Sequence, residues 1–279
     1  MYFKIICIAT VSTLLNLTVE AQYYYKDIIS NKQAIAEKNV LQEQKIRTVK
    51  VHSFESNGAE SEGFFCEKKI SKNYRKIEIF TRSYVTSKSI QTIYFDANGL
   101  LIQSSDSSDL NASNSFFTYD NNNNVISIIN YSHSNDDDFT TALVEEHLYS
   151  YDKQNKPTQM ILVKNRKDSL LVSFKTDAKG NVTDEIEEKE NGRHYYYYYD
   201  DKNRLTDIVK FNVVKNKLLP DIIFEYNYSG QVAQMSTIEE GVANAFVTWK
   251  YVYNDGLKII EKCYEQGKTL LGYVEYEYD

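Results

Sequence analysis

The chain has 279 residues, a formal net charge of −7 and an ordinary apolar content of 42%. That is enough to build a core, which excludes disorder as the default, and the negative balance excludes a nucleic-acid partner, which needs a basic face to displace phosphate counterions. Composition departs from the ordinary in its 24 tyrosines and 13 phenylalanines beside only 2 prolines; tyrosine favours half-buried strands, where its ring packs and its hydroxyl reaches water.

In chain order, Lys4 is the only charge before an apolar run from Ile5 to Leu17, and Val19-Glu20-Ala21 offers small side chains at the positions a signal peptidase reads. The run is shorter than the roughly 20 residues that a membrane helix needs, so residues 1–21 are read as a signal peptide. The mature chain then begins near Gln22 and is secreted, periplasmic or at the cell surface. Residues 22–92 are expected to cap one end of a repeat array formed by residues 93–279. A short helix is predicted over Asn31 to Gln44, with Asn31 as its cap and Ala34, Ile35 and Leu41 on an apolar stripe. Irregular strands are predicted over 46–54, 63–70 and 74–95, with Gly58 in a turn.

Residues 93–279 repeat a single pattern seven times, then stop at Tyr276-Glu277-Tyr278-Asp279, the first half of another unit. Each unit turns on a pivot: Asp96, Asp120, Asp152, Asp177, Asp200, Asn227 and Asn254. Large residues, usually aromatic, stand three and one before the pivot, two apart and so on one face of a strand. The pivot side chain can bond its own backbone two residues on, and in most units a Gly or Asn three residues later can take the positive φ that closes a turn. An aliphatic residue at plus five opens the returning strand, which makes each unit a β-hairpin. Successive pivots lie 23 to 32 residues apart, a spacing that suits two strands per unit and not the four of a propeller blade. The expected fold class is therefore mainly β: tandem antiparallel hairpins in a meandering or spiralling sheet, with a short N-terminal helix. Cys66 and Cys263 lie near opposite ends of this array, further apart in an open sheet than the ~7 Å limit for a bridge. They are expected to be unpaired, packed thiols; a bridge would need the array to curl its ends together.

The segment Tyr199-Asp200-Asp201-Lys202-Asn203-Arg204-Leu205 resembles the Tyr-Asp-x-x-Gly-Arg-Leu core of the Rhs/YD-repeat family, with Asn203 in the glycine position. Asp96 to Leu100, Asp177 to Val182 and Asn227 to Val232 are looser matches, and the resemblance covers about residues 93 to 279. It implies a coiled antiparallel sheet on exported proteins. Long arrays in that family enclose a toxic C-terminal domain, and others are adhesive surface modules. The core arginine occurs here once, as Arg204, and no functional residues carry over from the family.

A search for chemistry finds little. His52, His133, His147 and His194 lack metal-ligand spacing, and no nucleophile elbow, phosphate loop or dinucleotide fingerprint occurs. No cofactor is expected. The best cation candidate is calcium at Asp136 and Asp138, hard oxygen ligands in a loop, although the spacing is not that of an EF-hand and such a loop is usually solvated. In the run Tyr195 to Tyr199 the rings alternate faces, so Tyr196 and Tyr198 form a candidate ligand platform; cross-strand packing is the plainer account. The leading expectation is a non-enzymatic exported binding or structural module, contacting a glycan or protein through an aromatic sheet face. The alternative is an outer-membrane β-barrel with tyrosine girdles. A third is a glycoside hydrolase using a carboxylate pair. The last strand, Tyr273 to Tyr278, is an aromatic edge through which self-association is expected.

Overall fold

The computed structural model describes residues 23–84, 87–134, 142–212, 216–238 and 246–279. It begins with helix α1 (Tyr25–Glu43), then β1 (Thr48–Glu55), β2 (Phe65–Ile70), β3 (Lys76–Ser83), β4 (Ser87–Phe95), β5 (Leu101–Ser108) and β6 (Asn111–Tyr119). Next come β7 (Val125–Ser134), β8 (Leu143–Tyr151), β9 (Pro157–Lys164), β10 (Asp168–Thr176), β11 (Val182–Glu187) and β12 (His194–Tyr199). The chain finishes with β13 (Leu205–Asn212), β14 (Lys217–Tyr226), β15 (Val232–Ile238), β16 (Phe246–Asn254), β17 (Leu257–Glu265) and β18 (Thr269–Tyr278). The mainly β, antiparallel, hairpin-built chain with one N-terminal helix is as expected.

The sheet is more specific than a meander. Strands pair in chain order, and β18 pairs with β1, so the order is cyclic and the sheet has no free edge. Thr48 and Asp279 exchange backbone hydrogen bonds of 2.9 Å in both directions, and the Arg47 amide also donates to Asp279 O. The last strand is therefore not an open edge, which removes the physical reason for self-association through it. The segments read as irregular strands of a cap, β1 to β4, are regular members of the same ladder. Cys66 and Cys263 are both buried, and no disulfide joins them.

The pivots build the turns as the residue pattern required, with one addition. Asp96 Oδ1 accepts from the amide of Asn98 (2.8 Å) and also from that of Leu100 (2.8 Å). The same plus-four bond recurs at Asp120, Asp152, Asp177, Asp200 and Asn227. The residue at plus three has positive φ throughout: Gly99, Asn123, Asn155, Gly180, Asn203 and Gly230. Asn254 instead leads into a tighter turn with positive φ at Asp255 and Gly256, the pattern of a two-residue hairpin connection.

A second bond, not foreseen, ties four of the hairpins to the one before. The tyrosine preceding the pivot donates its hydroxyl to the carbonyl five residues past the previous pivot: Tyr119 to Leu101 (2.6 Å), Tyr151 to Val125 (2.8 Å), Tyr226 to Leu205 (2.7 Å) and Tyr253 to Val232 (3.0 Å). Arg204 extends this clasp, bonding Asp200 through Nε at 2.7 Å while its guanidinium lies 4.5 Å from the centre of the Tyr226 ring.

Two compact units can be distinguished. In one, residues 23–50, Gly63–Gly192 and Tyr278–Asp279, one sheet face carries Ile77, Ile79, Phe95, Ile128, Met160, Leu162, Val172 and Phe174, all buried. Met160 and Val172 lie directly opposite each other and are wholly buried. In the other, Val51–Glu62 and Arg193–Glu277, the buried face carries Tyr195, Tyr197, Ile208, Ile222, Cys263 and Val274.

The turn geometry has two measurable consequences. Asn123, at φ 63°, should tolerate Gly with little or no loss, whereas Asn123→Ala should lose about 1 kcal/mol in equilibrium unfolding, the usual penalty of the left-handed region. The carboxyls of Asp120 and Asp200 are held below the ordinary value of 3.8 chiefly by side-chain hydrogen bonds from Asn124 and Arg204. At Asp177 partial desolvation pushes upward, but bonds from Asn181 and its neighbours outweigh it. A depressed folded pKa gives stability that is present above about pH 4 and is lost as pH falls through the folded value. Acid titration of the unfolding midpoint should therefore show a decline confined below about pH 4, and Asn at these three pivots together should flatten it.

Candidate functional site at the anchored helix

α1 starts six residues before the predicted Asn31 cap and ends one before Gln44. The cap reading is corrected by its surroundings. Asn31 lies inside the helix, buried, with Nδ2 donating to the Tyr119 hydroxyl at 2.6 Å. The true N-cap, Tyr24, makes no side-chain capping bond. The capping charge comes from β11: Glu185, 1% exposed, accepts from the Tyr24 amide through Oε1 (2.7 Å) and from the Tyr25 amide through Oε2 (2.8 Å). A carboxylate there satisfies two of the amides that a helix start leaves orphaned and meets the positive end of its dipole.

One turn further on, Asp27 meets β8. His147 Nδ1 lies 2.6 Å from Asp27 Oδ2, and the Tyr149 hydroxyl reaches the same oxygen at 2.7 Å and the Tyr24 carbonyl at 2.9 Å. Burial pushes the Asp27 carboxyl up, but the neighbouring His147 and the hydrogen bonds from His147 and Tyr149 outweigh it, so the group is held below the ordinary carboxylate range. The Tyr24 ring meets His147 edge-on at 5.4 Å, and Phe174 stacks on Tyr149 at 6.3 Å. Further along the helix, Glu37 pairs with the buried Lys68 of β2 at 2.7 Å. α1 thus buries Ser30, Asn31 and Lys38 beside Ile28 and Leu41, and polar bonds as much as apolar area fix its place.

The His147–Asp27 pair is the nearest approach to catalytic geometry. A general base must reach a proton with its free nitrogen. His147 Nε2 is buried and hydrogen-bonds to nothing among the described residues. The arrangement orients an imidazole against a helix and performs as a clamp. Among the described residues, no group of three His, Cys, Asp or Glu could hold a metal ion.

The residues singled out by sequence lie elsewhere. Tyr196 and Tyr198 share the outer face of β12, where Tyr196 stacks on His194 at 3.9 Å and Tyr198 is 47% exposed opposite Asp207. Tyr195 and Tyr197 are buried on the other face. The pivots lie in turns distributed along the sheet and do not converge. Asp136 and Asp138 lie outside the described residues. Asp27, His147 and Glu185 were missed because no spacing connects them; the one available hint was an acid at the start of a helical segment.

No family model matches this chain, and no curated protein matches it. Solved structures with a similar course exist. A porin-like protein from Bacteroides uniformis is 6% identical over 84% of this chain and 96% of its own, with a TM-score of 0.38. A porin-like protein from Bacteroides vulgatus is 11% identical over 84% and 98%, with a TM-score of 0.31. A TcdB2-TccC3 structure is 12% identical over 82% of this chain but only 19% of its own, with a TM-score of 0.30. Overlaps this loose carry no argument about function.

Glu185→Ala should lower stability by roughly 1.5–3 kcal/mol, the usual range for hydrogen bonds to a charged group, and should speed trypsin cleavage at Lys32 and Lys38. Thermal unfolding and timed proteolysis would read both.

Proposed function

We propose that this chain is an exported β-barrel of the cell envelope whose strands cross an outer membrane. The observation that supports this best is the cyclic strand order. In lipid every backbone amide and carbonyl needs a partner within the protein, and among sheets only a closed one provides it. No described helix is long and apolar enough to cross a membrane, so the crossing on this reading is made by strands. Most strands run 8 to 10 residues, near the 9–11 or so that a tilted membrane strand needs.

The outer face of β6 to β10 carries an apolar strip, interrupted by Glu146 between Ile129 and Val163. Phe116 pairs with Ile129, Tyr131 with Val144, Leu148 with Ile161 and Ile161 with Leu171. These side chains lie on the face opposite the buried Met160 and Val172, and Phe116, Tyr131 and Leu171 are each about two-fifths exposed. Towards the pivot turns the same face becomes polar, through Ser173 and the Lys175–Asp184 pair. The hairpin unit itself we read as YD-like, with Arg204 serving the turn and the clasp, and the chain as non-enzymatic.

A second reading, an exported binding module outside the lipid, is favoured by a different sector. On the outer face of β2 and β3, Lys69 stands opposite Glu78, and ion pairs join Lys69 to Glu67 (3.0 Å) and Lys76 to Glu78 (2.8 Å).

Membrane fractionation separates the two. The lipid reading predicts that the exported chain stays with carbonate-washed membranes and migrates faster on gels before heating than after. It also predicts that Ile161→Lys or Leu171→Lys costs about 2–4 kcal/mol of folding in bilayers, with Ser173→Lys costing less. A folded chain released quantitatively without detergent supports the binding module.

A further inference from the structure

A strip of the outer face outside the apolar band carries an unresolved repulsion. Lys250 of β16 and Lys262 of β17 are directly opposite residues. They point away from the face that buries Cys263 and Glu261. Like charges placed opposite each other destabilise an antiparallel pair. Several charged groups on this side have partners: Lys50 with Asp279 at 3.3 Å, His52 with Glu277 at 3.2 Å, Glu225 with Gln234 at 2.7 Å. Neither Lys250 nor Lys262 has a carboxylate within ion-pair distance among the described residues.

What surrounds the two ammonium groups is aromatic. Lys250 Nζ lies 5.1 Å from the centre of the Tyr264 ring, and Lys262 Nζ lies 5.8 Å from that of Tyr273. Tyr273 sits opposite Lys262 on β18 and is stacked on Phe54 at 4.7 Å and 12°. Glu275, opposite Ile260, bounds the strip on the side of the pivot turns. Lipid tails penalise lysine at mid-strand, so this strip favours the reading in which the sheet lies outside the lipid. Two cations on adjacent strands, set beside flat rings, fit a ligand that alternates an anionic group with a ring of its own.

We propose that this strip binds an acidic polysaccharide, a uronate carboxylate entering between Lys250 and Lys262 while the sugar face rests on Tyr273 and Phe54. The carboxylate neutralises the repulsion that the sheet leaves open, and the stacked rings supply an apolar shelf for C–H groups. The site rests on the second reading, an exported module outside the lipid, which membrane fractionation tests separately: if these strands crossed a membrane, this outer face would meet lipid tails.

The test is titration of the full mature chain, as it purifies, with polygalacturonate. Methyl-esterified polygalacturonate serves as the neutral control and polyphosphate as a polyanion without sugar. Saturable binding to the acid form is expected, with binding about tenfold weaker for Lys250→Gln or Lys262→Gln, the scale of one charge-assisted bond. Tyr273→Ala should weaken it as well. Lys262→Glu should abolish binding while raising the melting temperature, because it turns repulsion from Lys250 into attraction; loss of binding in that variant reports the site and not the fold. Unchanged affinity in the lysine variants, equal binding of the ester, or polyphosphate binding as tight as polygalacturonate would each overturn the proposal.

Discussion

The tyrosine hydroxyl that reaches back to the preceding hairpin is the constraint on which the sheet depends. A hairpin alone is marginally stable, and its register is weakly fixed. Here the tyrosine before four of the pivots crosses to the carbonyl at plus five of the preceding unit: Tyr119, Tyr151, Tyr226 and Tyr253. That contact requires the turn between them to hold its length, which the two hydrogen bonds that the pivot Oδ1 accepts from the amides at plus two and plus four enforce, as at Asp96. A single neutral bond contributes only about 0.5–1.5 kcal/mol net. Repeated at four hairpins, it helps to fix register there, and register decides which side chains are buried.

The same economy of polar contacts governs the N-terminal helix. A helix that docked by apolar area alone would present a continuous stripe; α1 buries Ser30, Asn31 and Lys38 beside Ile28 and Leu41. Its place is set by Glu185 at its first amides, by His147 and Tyr149 on Asp27, and by Lys68 on Glu37. Breaking a buried ionic contact is costlier than the contact is worth, because the partner is left uncompensated. The clamp therefore resists partial removal even though it adds little net stability.

Much of this was written in the sequence at the local level. The Asp-x-x-Gly and Asp-x-x-Asn turns were legible because pivot chemistry and positive φ act within five residues. The function of the aromatic before the pivot was legible only in part: its face was clear, but the hydroxyl was expected to reach water, whereas in Tyr119, Tyr151, Tyr226 and Tyr253 it finds a backbone carbonyl more than 15 residues away. Closure through Thr48 and Asp279 was not legible at all, since nothing in Thr48–Glu55 matches the repeat. The anchor escaped for the same reason. Asp27, His147 and Glu185 are brought together by strand order, and no window of sequence contains them.

The cyclic strand order is the claim on which the rest stands, and it can be tested at the pair that closes it. Thr48 and Asp279 exchange two backbone hydrogen bonds, which places their Cα atoms about 5.5 Å apart, within disulfide range. The measurement is oxidation of a Thr48→Cys, Asp279→Cys chain in which Cys66 and Cys263 are replaced by Ala, followed by non-reducing electrophoresis. A closed sheet predicts rapid, concentration-independent cross-linking within one chain. Free thiols, or disulfides formed only between chains, would contradict it.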